Sequence, residues 1–517
     1  MKYVSVQEMI AIEKAADAAG HSYQMMMEAA GRGLAELILK QFRSGGGKKR
    51  VIALVGSGNN GGDALVALDY LLTRGWIGGV IFLRERPPQD PLVKRVVDRG
   101  GKLNDYFDPN NRSVDLKDEF SGADLLIDGV LGTGIKLPLR PPLDHLLGEV
   151  KSILEGLDQK PFIVAVDCPS GVNCDTGEVS PVCIRADLTV TMAAVKAGTL
   201  RFPAFDYLGQ LELVEIGLPP GLPVFEDIKR ETIEGDWVLS RLPDRPKDAH
   251  KGTFGTSLII AGSREYPGAA ILAGTAAYRI GSGLVTLAVP EGIYQGLIKT
   301  LPEATWIPLE DEDGGIAETG SGQILSALEK PTACLIGPGF GTREGSGKFI
   351  EAIIQLESLP SLVMDADGLR LLSFIDDWQK IIPPGCVFTP HPGEMSALTG
   401  LPVEKIQGAR LEVAEEYARS WRQIVLLKGA HTIIAAPDGR TRILISANPA
   451  LARAGSGDVL AGIITGLIAQ GMDPFEAAVC GSWIHARAGE KAALIQGSQA
   501  AVMAGDISTA IGQVLPD

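Results

Sequence analysis

Over its 517 residues the chain carries 48 Lys and Arg against 63 Asp and Glu, a formal net charge of -15, with 45% hydrophobic residues. That length holds two or three domains with full cores, and the acidic balance argues against nucleic acid or an anionic membrane as a partner. With no apolar leader, and with Val459 to Met472 too short and glycine-rich to cross a bilayer, the expected location is the cytoplasm, where Cys168, Cys174, Cys183, Cys334, Cys386 and Cys480, without CxxC spacing, read as reduced core thiols.

Ser5 and Glu8 have capping-box spacing, with Met9, Ile10, Ile12 and Ala16 behind them, which predicts a first helix. A second spans about Ser22 to Phe42, and its Met25, Met26 and Met27 fit core or subunit packing better than a cofactor contact. Arg50 to Val55 is a buried-type strand; a glycine loop, Gly56 to Asp63, follows and opens onto a helix carrying Leu65, Leu68, Leu71 and Leu72. Gly56, Gly58 and Gly61 satisfy the G-x-G-x-x-G dinucleotide pattern, with Glu85 as a possible ribose acid. Two more apolar runs end in Asp128-Gly129, followed by Gly132-Thr133-Gly134, and in Asp167-Cys168-Pro169-Ser170-Gly171. Strands alternating with helical patterns imply a parallel sheet whose ligands gather at the strands' carboxyl ends. There Asn60, Asp128 and Ser170 offer hard oxygens and a single charge, which suits a weakly bound potassium ion better than zinc; alternatively, each bonds only its own turn.

Gly217-Leu218-Pro219-Pro220-Gly221-Leu222-Pro223 interrupts the pattern and places a junction between domains 1–222 and 223–517. The second half resumes with the strand Ser257 to Ala261 and a helix opening near Gly268-Ala269-Ala270. Its later strands end in Gly337-Pro338-Gly339-Phe340-Gly341, Asp365-Ala366-Asp367-Gly368 and Thr389-Pro390-His391-Pro392-Gly393-Glu394, and Ile424 to Leu427 delivers Lys428 to Thr432. This is an α/β sheet with one ligand edge, where His391 reads as a ligand contact and Lys428 as a counter-charge for phosphate. Gly345-Ser346-Gly347-Lys348-Phe349 imitates a phosphate loop, but Thr342 replaces its first glycine and Phe349 its Ser or Thr, so it receives no catalytic weight. The helical stripe Leu460, Ile463, Ile464, Leu467 and Ile468 predicts a helix beginning at about Asp458. Its first-turn amides, approached through Gly455-Ser456-Gly457, form an anion site suited to phosphate. Asp458 beside it is either a base activating an alcohol for phosphoryl transfer or simply the helix cap.

Taken in order, Asn59 to Asp63, Asp167 to Gly171, His250-Lys251-Gly252, Gly337 to Gly339, His391 to Glu394 and Gly455 to Asp458 resemble the bifunctional NAD(P)H-hydrate repair enzymes over nearly the whole chain, with Ala64 standing where that family has glycine. The resemblance implies an N-terminal Rossmann-like three-layer domain followed by a C-terminal ribokinase-like α/β domain. The first would be an epimerase interconverting R and S hydrates of NADH and NADPH; the second would dehydrate the S hydrate at the expense of ADP, giving AMP and phosphate. By the same resemblance Asn59, Asn60, Gly61, Gly62, Asp63, Gly132, Thr133, Gly134, Ile135, Lys136, Leu137, Pro138 and Asp167 bind the hydrate in the epimerase domain, Asn60, Asp128 and Ser170 hold K+, and Asp167 handles the proton. In the dehydratase domain Ala270, Gly339, His391 and Asp458 contact the hydrate, Lys428, Gly429, Ala430, His431, Thr432 and Gly457 contact the nucleotide, Asp458 is the base, and Mg2+ accompanies the ADP. A homo-oligomer is expected. The rival reading is a ribokinase-like small-molecule kinase with a noncatalytic N-terminal binding module, since Gly455-Ser456-Gly457-Asp458 serves that chemistry equally well.

Overall fold

The computed structural model describes residues 1–43, 48–87, 89–107 and 115–516. It forms two compact units, Met1–Arg230 and Glu231–Asp517. The sequence-based cut after residue 222 falls inside the first unit, because the segment beyond it is tied back: Lys2 Nζ donates to Ile228 O (2.6 Å), and Arg230 pairs with Glu8.

In the first unit the seven strands lie in the order Lys102–Asp105, Ile77–Phe82, Arg50–Val55, Leu125–Gly129, Phe162–Val166, Leu188–Met192, Gln210–Val214. All their pairings are parallel. Chain order reverses between Arg50–Val55 and Leu125–Gly129, and at such a switch point the helices diverge and leave a crevice. The helix that follows the first of these strands, Asn59–Thr73, starts earlier than the leucine pattern indicates, so Asn59 to Asp63 form its opening turns rather than a loop. Ser5 and Glu8 make the expected capping box on Val6–Ala18, and Ser22 caps Tyr23–Gln41. Helix Tyr23–Gln41 closes on Asn59–Thr73 at Gly31, where a Cβ would lie 2.4 Å from Val66 Cβ. Its methionines divide: Met26 enters the core, Met27 Sδ backs onto Gly62, and Met25 is exposed.

The second unit is built on a ten-stranded sheet ordered Arg230–Thr232, Thr441–Ile443, Ile433–Ala435, Ile424–Leu427, Val387–Phe388, Ser361–Met364, Ala333–Ile336, Thr256–Ile260, Leu284–Pro290, Thr305–Leu309. From Ile424–Leu427 to Thr305–Leu309 every pairing is parallel, and the hairpin after Ile424–Leu427 is antiparallel. Helix Ser456–Ala469 is buried on all sides rather than along one stripe; only Gly457 and Asp458 escape full burial. It packs closely on Gly268–Ile280 because two of its glycines lack side chains: a Cβ on Gly462 would lie 2.2 Å from Ala273 O, and one on Gly466 2.3 Å from Ile280 Cγ2. Gly345 to Phe349 lie inside helix Glu344–Ile354, with Phe349 fully buried, so no phosphate loop exists there. All six cysteines are buried and unpaired, and no helix among the described residues is long and apolar enough to cross a membrane.

Candidate active sites

Three strand ends of the first unit converge as the sequence pattern implies. Asn60 Nδ2 donates to Val166 O (2.5 Å) and Leu131 O (3.3 Å), tying the helix start to the two neighbouring strand ends. Gly132 lies against this amide; a Cβ there would stand 2.4 Å from Asn60 Oδ1. Asp128 accepts from Ser170 N (2.8 Å) and Ser170 Oγ (2.5 Å), while Ser170 Oγ accepts from Leu131 N (2.9 Å). Asn60, Asp128 and Ser170 are therefore linked through residues 130–132. Burial raises the Asp128 carboxyl above its ordinary range, against the pull of its bonds from Ser170 and Val130. The loop carrying Thr133, Gly134, Ile135, Lys136, Leu137 and Pro138 continues from this point, half-buried to exposed. Glu85 is exposed, and its neighbour Arg86 instead reaches the glycine turn, donating to Gly56 O (2.7 Å).

Beside this lies a charged cluster that the sequence reading missed in part. Asp167 follows strand Phe162–Val166 with φ 65°, and its Oδ1 accepts from Thr191 Oγ1 (3.2 Å), Met192 N (3.0 Å) and the Lys196 ammonium. Lys196 is only 1% exposed. It is held there by strand Val195–Lys196, which pairs with Tyr3–Val4 and so also brings helix Val6–Ala18, with Glu13, to the site. Burial raises Glu13, opposed by Lys196 and reinforced by Asp167. Burial, then the charges of Asp167 and Glu13, pushes Asp63 well above the usual carboxylate range. The one available signal for Lys196 was a lysine directly after an otherwise uncharged stretch, residues 188–195.

In the second unit Gly455 takes φ 84° and the helix begins at Ser456, two residues before the expected start, which puts Asp458 within its first turn. No side chain caps this helix, so Asp458 is not spent as a cap. Lys428, at the end of strand Ile424–Leu427, reaches Asp365 Oδ1 (2.6 Å) and faces Glu394 Oε2 (3.7 Å). A Cβ on Gly457 would lie 3.4 Å from Lys428 Nζ, so the ammonium stands beside the first-turn amides. Burial, then the charge of Asp365, raises Asp458 to about 7 against the pull of Lys428. Glu394 is also raised by burial to about 7, again opposed by Lys428. Burial alone would lower Lys428, but Asp365 and Glu394 outweigh it and hold the ammonium above its ordinary value.

His391 is the N-cap of helix Pro392–Thr399: its Nδ1 accepts from Gly393 N (2.9 Å), and Nε2 lies 3.2 Å from Glu394 Oε1 on an exposed ring. Gly339 (φ 67°) abuts Ala269 and Tyr266, and Ala270 is fully buried. Leu272 of the same helix touches Gly455, which connects that wall to the anion turn. The turn Lys428 to Thr432 is braced from behind by Arg410, which donates to Leu427 O (3.0 Å) and Lys428 O (3.2 Å) through the space left by Gly429. Burial lowers this guanidinium to about 10. His431 is buried with φ 53°, and burial lowers it to about 4; Ala430 is exposed. Arg410 and His485, whose Nε2 lies 3.2 Å from Ser456 Oγ, left no motif in the sequence because each reaches the site from a separate helix.

Each unit thus places carboxylates and a lysine, buried at Lys196 and half-buried at Lys428, against glycine-lined backbone at its strand ends. The NAD(P)H-hydrate dehydratase family model matches residues 257–513, and that of the YjeF-related protein N-terminus matches residues 23–198. The chain is 37% identical over 500 residues to the bifunctional NAD(P)H-hydrate repair enzyme Nnr of Moorella thermoacetica, covering 95% of this chain and 92% of that protein. It is 34% identical to the enzyme of the same name from Thermofilum pendens, again with 95% and 92% covered. Among solved structures, the ADP/ATP-dependent NAD(P)H-hydrate dehydratase of Bacillus subtilis, co-crystallized with ATP/Mg2+, aligns at 31% identity and a TM-score of 0.48, covering 55% of this chain and 96% of that one. With both family models placed on its two units and full-length relatives matched nearly end to end, the chain belongs to the bifunctional NAD(P)H-hydrate repair enzymes.

Proposed function

We propose that the chain returns hydrated NADH and NADPH to use, the first unit equilibrating the R and S hydrates and the second dehydrating the S hydrate with ADP as phosphoryl donor. The observation that carries this reading is the grouping of Asp458, Lys428, Asp365 and Glu394 around the first turn at Gly457. Hydroxide is a poor leaving group. Asp458, ionising near neutral pH, accepts the proton of the ring hydroxyl as its oxygen attacks the terminal phosphorus of ADP. The amides of the Gly455 to Asp458 turn and the Lys428 ammonium balance the charge that develops on the transferred group. The ring-nitrogen lone pair then expels phosphate to give an iminium ion, and loss of a proton from the adjacent ring carbon to water forms the ring C=C bond and returns the C=N electrons to nitrogen; the dihydronicotinamide, phosphate and AMP are the products.

Among the described residues no three of His, Cys, Asp and Glu form a preformed metal cage. Mg2+ would arrive on the nucleotide's phosphates and neutralise charge there, and Asp365 and Glu394, which both face Lys428, are the carboxylates that would help to hold it. In the first unit Asp128 is a buried carboxyl bonded only to uncharged donors among the described residues, which suits a monovalent cation such as K+ held with Asn60 and Ser170. Lys428 to Thr432 and Gly457 take the nucleotide in this reading, and Ala270, Gly339 and His391 form the hydrate's side. Asn59 to Asp63, Gly132 to Pro138 and Asp167 take the hydrate in the epimerase half.

The test is incubation of the purified chain with S-hydrated NADH, ADP and Mg2+. Recovery of NADH with equimolar AMP and phosphate supports repair; nucleotide consumption with a stable phosphorylated product and no NADH refutes it in favour of a kinase.

A further inference from the structure

Resting on the epimerase reading of the first unit, the geometry points to a division of labour there. We propose that Asp63 and Asp167 act as a proton donor and a proton acceptor, inverting the hydroxyl-bearing ring carbon of the hydrate by loss and return of water. Asp63 lies one helical turn beyond Asn60, and Asp167 one residue beyond Val166, the two positions joined by the 2.5 Å bond from Asn60 Nδ2 to Val166 O. The strands that precede them, Arg50–Val55 and Phe162–Val166, flank Leu125–Gly129 and so run about 10 Å apart. Both are nearly buried, at 6% and 7% exposure, yet their surroundings differ. Asp167 Oδ1 takes three donors, one of them the Lys196 ammonium, and Oδ2 takes none among the described residues. Asp63 has no such donor among the described residues; burial, then the charges of Asp167 and Glu13, keep its proton on against the opposing charge of Lys196. Among the described residues, a carboxyl without a hydrogen-bond donor of its own, beside one whose Oδ1 holds three donors and whose Oδ2 is left open, suits opposite proton roles.

In the forward inversion the Asp63 carboxyl passes its proton to the ring hydroxyl as the C–O bond breaks. The ring-nitrogen lone pair forms the C=N bond of an iminium ion, and water departs. Another water adds to the opposite face of that carbon, the C=N electrons return to nitrogen, and Asp167 Oδ2 takes the added water's proton. Asp63 ends ionised and Asp167 protonated, which is the starting state for the reverse inversion; exchange with solvent resets the pair.

The full-length chain, incubated with the R hydrate in 18O-water, tests this. One solvent oxygen is expected in each molecule inverted, and inversion that retains the original oxygen would overturn the scheme in favour of ring opening while leaving the epimerase reading intact. Asp63→Asn and Asp167→Asn should each slow both inversion and oxygen incorporation about 10²-fold or more while the same preparation still dehydrates the S hydrate at the parent rate; Asp167→Asn should also lower the thermal midpoint, since the buried Lys196 ammonium loses its charged partner. An Asp63→Asn protein that inverts at close to the parent rate removes Asp63 from the reaction. If the parent chain fails to speed inversion at all, the epimerase reading falls and this proposal with it.

Discussion

A carboxylate that has to ionise before it can take a proton is held at Asp458 where burial opposes ionisation. The dehydration rate should therefore fall as pH drops through about 7, which a kcat profile with S hydrate and ADP measures directly. Asp458→Asn should bind ADP normally by calorimetry yet lose about 10²–10⁴ in turnover. The same residue has a stability signature. Its native pKa lies above the unfolded value, so between roughly 4 and 7 the folded state holds the extra proton and stability declines as pH rises. Above that window Asp458→Asn should melt at a higher temperature than the parent, and a lower midpoint would contradict the burial argument. Asp458 and Asp167 could be found from sequence because each stands in a short motif with glycines. Lys196 and Arg410 could not, since what makes them important is burial against groups supplied by other elements.

Among the elements, helix Ser456–Ala469 shows both the reach and the limit of reading periodicity. Its spacing of Leu460, Ile463, Ile464, Leu467 and Ile468 identifies a helix, but a stripe on one side does not reveal that Gly462 and Gly466 turn the opposite side into a second packing face. The start at Ser456 rather than Asp458 follows from the left-handed Gly455, a conformation that costs glycine little. Gly462→Ala should force the helix away from Ala273, costing about 1–3 kcal/mol of stability. Because that shift displaces the turn carrying Asp458, dehydration should fall more than the population of folded protein does; calorimetric melting and single-turnover kinetics on one preparation compare the two. The opening of Asn59–Thr73 was obscured for a related reason: a run of Asn and Gly has low helix propensity, and the backbone ties of Asn60 to Val166 and Leu131 override it.

For the whole molecule, the two-sheet plan follows from strands that end in glycine turns, while the boundary does not, because the Gly217 to Pro223 interruption precedes residues still anchored to Lys2 and Glu8. Two units with two chemistries imply a kinetic signature. The parent chain should consume a mixture of R and S hydrates in one smooth course. Asp167→Asn should instead convert the S fraction quickly and the R fraction at the uncatalysed inversion rate, visible as two phases in NADH absorbance; a single fast phase would show that Asp167 is dispensable. The buried sulfurs carry a last consequence. Burial pushes Cys386 and Cys480 up to about 12, so they remain unreactive toward maleimides while the native fold persists. Cys168, Cys174 and Cys183 belong to the first unit and Cys334, Cys386 and Cys480 to the second. Alkylation along a urea gradient, followed by peptide mass spectrometry, should thus record the melting of each half separately, the chain supplying its own matched set of unfolding probes.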